Sequence, residues 1–159
     1  MKKTSVPLVI AFTPDYFIPA ATCLYSIITS MQAEGELHVI CLLSEELPER
    51  LKLKIQLIGE GRTCYSFVNL QGKLQHIYID QKYTEAASYR LLLPDLLPEY
   101  KKVIYIDCDI IVRNDLVQLY HSIDLGMNYL AAVFEASMDF QLDHLKTIGC
   151  NPNEYINSG

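Results

Sequence analysis

Short apolar segments alternate with helical patterns along the first part of this chain. Val6–Phe12 and Leu37–Leu43 contain almost no polar side chains, which is typical of strands buried on both faces of a parallel sheet. Between them, residues 16–32 predict an amphipathic helix because apolar side chains recur there at helical spacing. Those recurring positions are Ile18, Ala21, Tyr25 and Ile28.

The same alternation continues to the end of the chain. A helix is predicted after Ser44, its expected N-cap, and further strands and helices follow in turn. The remaining strands are predicted at 64–70, 76–80, 102–107 and 129–134, an extended segment at 110–112, and the remaining helices at 85–97, 116–120 and 140–148. Such an order implies an α/β fold with a mostly parallel central sheet flanked by helices. Ligands of such sheets bind beyond the carboxyl ends of the strands.

Composition excludes several other classes of protein. Half of the 159 residues are apolar and 20% are charged, as expected for one folded domain over residues 1–159 and not for a disordered chain. The net charge of −6 disfavours nucleic acid and anionic membranes as partners. Five widely spaced cysteines with no CxxC pair predict neither a zinc site nor a disulfide framework. No apolar run approaches the ~20 residues of a membrane span, and a cytoplasmic location is expected.

The sharpest chemical feature is Asp107-Cys108-Asp109, where an apolar run ends. In an extended chain, the side chains of residues two apart project to the same side. Two carboxylates held close together repel, and a divalent cation relieves that cost. Hard oxygen ligands suit Mg²⁺ or Mn²⁺. Such an ion is able to bridge to a diphosphate and to neutralise its charge as it departs. The alternative, that Asp107 caps a turn and Asp109 is solvated, remains open for an isolated DxD pattern.

Two other features are candidates for ligand binding. Residues 11–16 follow the first predicted strand and open a helix, where free backbone N–H groups attract anions or sugar hydroxyls. Asp15 is suited to accept hydrogen bonds from a ribose or a base and Tyr16 to stack on a base. The local sequence by itself favours the simpler interpretation that Thr13 or Asp15 caps the helix. Arg90 lies on an otherwise apolar helix, so it needs either a position that faces water or a partner, which is a phosphate, a sugar or a carboxylate.

Taken in order, these features resemble the bacterial members of glycosyltransferase family 8. That family includes lipopolysaccharide galactosyl- and glucosyltransferases and is related to glycogenin. The DxD pattern alone is weak evidence, whereas the ordered set is specific. The segments that carry the resemblance are 8–16, 26–27, 88–91, 102–112, 124–126, 131–133 and 155–159.

The resemblance implies a GT-A nucleotide-diphospho-sugar transferase fold. It also implies a UDP-sugar donor, Mn²⁺ (or Mg²⁺) as cofactor, and transfer of a hexose with retention to a saccharide or glycolipid acceptor in lipopolysaccharide or surface-glycan synthesis. By motif match, Arg90, Asp107 and Asp109 are the catalytic residues. The matched roles are uridine binding by Ala11, Phe12, Thr13, Pro14, Asp15 and Tyr16, metal binding by Asp107 and Asp109, ribose contact by Asp107 and Cys108, diphosphate or donor-sugar contact by Arg90, donor-sugar contact by Asn157 and Ser158, and an acceptor-side acid at Glu135.

Two departures from the family pattern lead to further expectations. Many members carry Asp-Asp-Asn-Tyr where this chain has Thr13-Pro14-Asp15-Tyr16. Members also continue past the Asn-Ser-Gly segment and supply a histidine there as third metal ligand. The chain is therefore expected to be a C-terminally incomplete GT-A domain that binds a metal–nucleotide poorly and does not turn over alone. One alternative is a nucleotide-binding fragment that associates with itself through exposed surface. The other is a DxD phosphatase, although the phosphatase pattern has Thr or Val at the position of Ile111.

Overall fold

The structure, a computed structural model, describes residues 5–32, 34–76, 84–151 and 154–156. It divides the chain into two compact units, Met1–Ser122 and Ile123–Gly159. The first unit contains the sheet and the helices packed on it. No helix in the described ranges is both long enough and apolar enough to cross a bilayer.

The first unit is built on a four-stranded parallel sheet of order β3-β2-β1-β4. The strands are β1 (Val6–Phe12), β2 (Leu37–Leu43), β3 (Thr63–Asn69) and β4 (Ile104–Asp107). β1 is therefore central, with β2 on one side and β4 on the other. The predicted parallel sheet is confirmed, and the strand expected at 76–80 lies outside the described residues except for His76, which is in a turn.

Helices connect the strands of the first unit, and the described part of the second unit contains a 3₁₀ turn and a helix joined by irregular segments. α1 is Phe17–Ser30, preceded by a 3₁₀ turn at Pro14–Tyr16. The other helices are α2 (Glu49–Gln56), α3 (Glu85–Ser88), a 3₁₀ turn at Tyr89–Leu92, α4 (Leu93–Leu96), α5 (Leu116–Ser122), a 3₁₀ turn at Ala136–Phe140 and α6 (Leu142–Ile148).

Several predicted boundaries were wrong. Pro48, not Ser44, is the N-cap of α2. Residues 85–97 form three short helical pieces, and Pro94 stands at the start of the last of them because proline is tolerated in a first helical turn. Residues 110–112 belong to no regular element. The strand expected at 129–134 is reduced to one antiparallel bridge between Phe134 and Ile156.

The two faces of the sheet are covered by separate apolar clusters. Leu8 and Ile10 of β1 lie in one cluster with α1, and Val9 lies in the other with the segment that begins at α3. This alternation follows from the two-residue period of a strand. The face of α1 that packs on the sheet is formed by Ala20, Cys23, Leu24, Ser26 and Ile27. The predicted stripe was wrong in detail, since Ile18 and Tyr25 are exposed.

Candidate functional site

Strand register brings the first loop and the DxD segment to the same edge of the sheet. Ala11, near the end of β1, is the partner of Asp107, the last residue of β4. Neighbouring strands lie only ~4.8 Å apart, so chains leaving parallel strands at paired residues leave side by side. Residues 96 positions apart in the sequence therefore share one site, and ligands of such sheets bind at this edge.

Asp107 is already paired with Arg90 in this arrangement. The Arg90 Nη2 atom lies 3.2 Å from Asp107 Oδ1, and the two side chains are 25% and 35% exposed. The guanidinium also lies over the Tyr105 ring, 4.7 Å from its centroid, and its Nε donates to the Ala87 carbonyl at 2.8 Å. Arg90 is thus held by stacking and hydrogen bonds as well as by charge.

This geometry answers part of what the sequence left open. Of the partners considered for Arg90, the structure contains the carboxylate, because β4 carries Asp107 to the 3₁₀ turn that holds Arg90. The role of Tyr105 was missed. Its position two residues before Asp107 in a strand was the available signal, since such residues share a face. Burial raises the pKa of the Tyr105 hydroxyl, although the nearby Arg90 charge opposes that effect.

Asp109 follows the strand instead of extending it. β4 ends at Asp107, and Cys108 and Asp109 lie in a turn, so the alternation expected of an extended chain stops at Asp107. Asp109 is exposed. Burial, with an addition from the Asp109 charge, raises the pKa of the Cys108 thiol to about 11, so this thiol is protonated near neutral pH.

The donor set of this edge fits a hard divalent cation. Asp107 and Asp109 offer carboxylate oxygens, which Mg²⁺ and Mn²⁺ prefer. In the described ranges no cluster of three or more His, Cys, Asp or Glu side chains could enclose a metal. Two carboxylates match a cation whose remaining ligands are water and substrate phosphate, as is usual for Mg²⁺.

The loop after β1 is open for binding and is not used for capping. Thr13 has an extended backbone, and its side chain makes no capping hydrogen bond. Asp15 is exposed, and Tyr16 is 46% exposed. Ala11 and Phe12, by contrast, are buried in the two apolar clusters, so only their backbone groups are available to a ligand. Pro14 begins the 3₁₀ turn.

The other predicted site residues lie in the second unit or outside the described residues. Asn157 and Ser158 lie outside the described residues. Glu135 belongs to the second unit, where its carboxylate accepts a hydrogen bond from the Ser137 backbone N–H at 3.0 Å and caps the 3₁₀ turn.

The parallel sheet with its flanking helices is similar to the GT-A fold of nucleotide-sugar transferases, and solved structures with that fold superpose on this chain. The WbbM bifunctional glycosyltransferase matches with a TM-score of 0.82 at 24% identity, over 98% of this chain and 30% of WbbM. The galactosyltransferase LgtC, in a complex with donor and acceptor sugar analogues, matches with a TM-score of 0.77 at 23% identity. That match covers 97% of this chain and 56% of LgtC.

The family model of glycosyl transferase family 8 matches residues 7–159, so the chain belongs to this family. Among curated proteins it is 24% identical over its whole length to General stress protein A of Bacillus subtilis, of which it spans 56%. It is 32% identical over 103 residues to the glycosyltransferase GlyE of Streptococcus pneumoniae, covering 58% of this chain and 23% of GlyE. The predicted family and fold are confirmed, and membership of a glycosyltransferase family disfavours the phosphatase alternative.

Proposed function

We propose that this chain forms the donor-binding part of a metal-dependent, retaining glycosyltransferase that moves a hexose from a UDP-sugar to a saccharide acceptor. The observation that carries the proposal is the pairing of Ala11 with Asp107, since it joins the first loop to the DxD segment. Family membership supports glycosyl transfer in general. The chain spans 56% of General stress protein A and 56% of LgtC, so the activity is proposed for the whole protein.

Asp107 and Asp109 would hold Mn²⁺ or Mg²⁺ at the edge of the sheet. When bound, the cation neutralises negative charge that develops on the leaving diphosphate. A carboxylate has two oxygens, so Asp107 is able to keep its contact with Arg90 through one oxygen and offer the other to the cation. Cys108 is proposed to contact the ribose together with Asp107. Because burial raises the pKa of the Cys108 thiol, this contact would be made by the neutral thiol.

Arg90 would contact the diphosphate or the donor sugar. Its guanidinium presents five N–H donors in a fixed fork, which suits phosphate oxygens. Stacking on Tyr105 and the hydrogen bond to the Ala87 carbonyl hold it in place before a ligand arrives. Such preorganisation lowers the entropic cost of binding and favours charge stabilisation as the glycosidic bond breaks.

The first loop would hold the uridine. The exposed Tyr16 ring offers a surface for base stacking, and Asp15 offers carboxylate oxygens to ribose hydroxyls or the base edge. Thr13 and Pro14 contribute the wall of this loop, and Ala11 and Phe12 contribute backbone groups only. Asn157 and Ser158 are proposed, by motif match, to line the donor sugar, and Glu135 to lie near the acceptor.

The biological setting is proposed from the relatives. LgtC is described as a galactosyltransferase crystallised with donor and acceptor sugar analogues, and a putative glycosyltransferase of Haemophilus influenzae is 28% identical over 94% of this chain. We propose a cytoplasmic enzyme of lipopolysaccharide or surface-glycan synthesis, with a saccharide or glycolipid as acceptor. Residues 1–159 would form one donor-binding GT-A domain.

Substitution of a proposed metal ligand tests the function. In Asp109→Ala, Mn²⁺ affinity in the presence of UDP should fall by at least about tenfold, because a charged ligand is lost. The loss is measured from the free Mn²⁺ signal in electron paramagnetic resonance. Asp143→Ala is the matched control, since the Asp143 side chain is fully exposed and its carboxylate forms a loose ion pair with Lys146 at 3.7 Å. Equal affinity in Asp109→Ala and wild type would remove Asp109 from the metal site.

Self-association is a second candidate property, supported by exposed apolar side chains. Met127, Tyr129 and Phe140 of the second unit are almost completely exposed, and such surface favours contact with another chain. Light scattering coupled to size exclusion tests it. A monomer at high protein concentration contradicts self-association and leaves the glycosyltransferase proposal unaffected.

A further inference from the structure

The segment that carries the DxD aspartates is fastened along α1. We call residues 107–115, which join β4 to α5, the carboxylate loop. The Val112 N–H donates to Ser26 Oγ at 2.9 Å, and Ser30 Oγ donates to the Val112 carbonyl at 2.9 Å. Further along, the Gln32 N–H donates to Asp115 Oδ2 at 2.7 Å. α1 and the residues that follow it therefore hold this loop at more than one point.

The buried polar side chains of the described residues are all used for this purpose. Among the described residues, Ser26 and Asp115 are the polar or charged residues that are buried, and each is 9% exposed. A buried polar group costs stability unless it is hydrogen-bonded. Ser26 Oγ donates to the Cys23 carbonyl at 2.7 Å while it accepts from Val112. An apolar residue at position 26 would pack as well against the sheet but could not accept that N–H.

The contact to Val112 is specific in direction as well as in distance. Ser26 and Ser30 are one helical turn apart, so their side chains lie on the same face of α1. One hydroxyl accepts from the N–H of Val112 and the other donates to its carbonyl. Both backbone groups of one loop residue are thereby satisfied by a single helix, which fixes the path of the chain three residues after Asp109.

We infer that Ser26 and Ser30 are positioning residues for the carboxylate loop, and hence for Asp109. β4 pairs with β1 as far as Asp107, and Asp109 lies in the turn that follows. The position of Asp109 therefore depends on the contacts that hold the loop. A site for a hard cation needs its oxygen ligands held closely. This inference rests on the proposed function, because the proposed function is what assigns a metal ion to Asp107 and Asp109. The Ser26-Ile27 segment thereby acquires a role that its sequence alone did not indicate.

The test combines metal binding with a direct measure of loop order. In Ser26→Ala we expect the Val112 amide to exchange its hydrogen at least about fivefold faster in NMR. Mn²⁺ affinity in the presence of UDP, measured by electron paramagnetic resonance, should fall about tenfold, as for other residues that support metal ligands. Ser30→Ala should act in the same direction, and Ser26→Thr, which keeps the hydroxyl, should restore most of the affinity.

A control on the same helix separates loop positioning from helix stability. Thr22 Oγ1 donates to the Ile18 carbonyl within α1 at 2.9 Å, so Thr22→Ala removes a hydroxyl from α1 and leaves the Val112 contacts in place. The inference is overturned if Thr22→Ala lowers Mn²⁺ affinity as much as Ser26→Ala. It is also overturned if Ser26→Ala speeds exchange at Val112 while Mn²⁺ affinity stays at the wild-type value.

Failure of the proposed function gives a different result. If the wild-type protein binds no Mn²⁺ with UDP present, the metal proposal is refuted. The exchange rates at residues 108–112 then decide the inference by themselves. Unchanged rates in Ser26→Ala would overturn loop positioning, and faster rates confined to this loop would support it.

Discussion

Removing the charge of Arg90 should destabilise the protein by an amount that the structure allows us to work out. Arg90→Met keeps most of the side-chain length but loses the ion pair with Asp107 at 3.2 Å, the stacking on Tyr105 and the hydrogen bond to the Ala87 carbonyl. A half-exposed ion pair and a cation–π contact contribute about 0.5–1 kcal/mol each, and the hydrogen bond about 1 kcal/mol. The expected loss is about 2–3 kcal/mol.

Urea unfolding followed by circular dichroism, without nucleotide, measures this loss. For a chain of 159 residues, 2–3 kcal/mol corresponds to a Tm lower by about 6–9 °C. A double-mutant cycle with Asp107→Asn isolates the ion pair, because Asn keeps the shape of the side chain and removes its charge. The coupling free energy should be about 0.5–1 kcal/mol and should shrink in high salt.

Two results would refute this reasoning. A coupling energy below about 0.2 kcal/mol would mean that Arg90 and Asp107 do not interact in solution. A double-mutant cycle in which the coupling of Arg90 to Tyr105 accounts for the whole 2–3 kcal/mol would mean that stacking, and not charge, holds Arg90 in place. In the first case Arg90 would approach the diphosphate from another position, and its proposed role would have to be revised.

Two further predictions concern stability. Gly59→Ala should lower the free energy of unfolding in urea by at least about 2 kcal/mol, and Gly61→Ala by only about 1 kcal/mol. Both glycines have positive φ, but of the two only the Gly59 β-carbon would meet neighbours, 2.8 Å from Ile28 Cδ1. Equal losses in the two variants would contradict this packing. Burial lowers the pKa of His38, which is hydrogen-bonded to Tyr100 Oη at 2.6 Å. The unfolded chain then binds more protons, so the free energy of unfolding should fall as the pH drops below about 6.5. His38→Gln should lessen that fall, and an identical pH profile in this variant would refute it.

The strands of the sheet were predictable because burial on both faces leaves a distinct sequence pattern. Val6–Phe12 and Leu37–Leu43 were predicted with their observed bounds. The face of α1 was not, because apolar side chains surround much of this helix. Ile18 and Tyr25 look like core residues in the sequence, yet they are exposed. Periodicity cannot choose between two apolar faces when the packing partner is unknown.

The candidate site was predictable as a set of residues but not as a set of contacts. The sequence identified Arg90 and Asp107 separately, and only the position of β4 beside β1 brings them together. Ser26 illustrates the limit more clearly. A serine on a helix is an unremarkable residue until the loop that it holds, 86 positions further along the chain, is in place.

The central position of β1 also determines when the site is able to form during synthesis. β1, β2 and β3 leave the ribosome in the order in which they pair, but β4 must return to the free side of β1. The loop after β1 is therefore synthesised well before Asp107 and Asp109, with which it is proposed to form one site. A nascent chain that ends before Asp107 would contain β1, β2 and β3 but neither candidate metal ligand. Metal binding at Asp107 and Asp109 therefore cannot guide the first stages of folding.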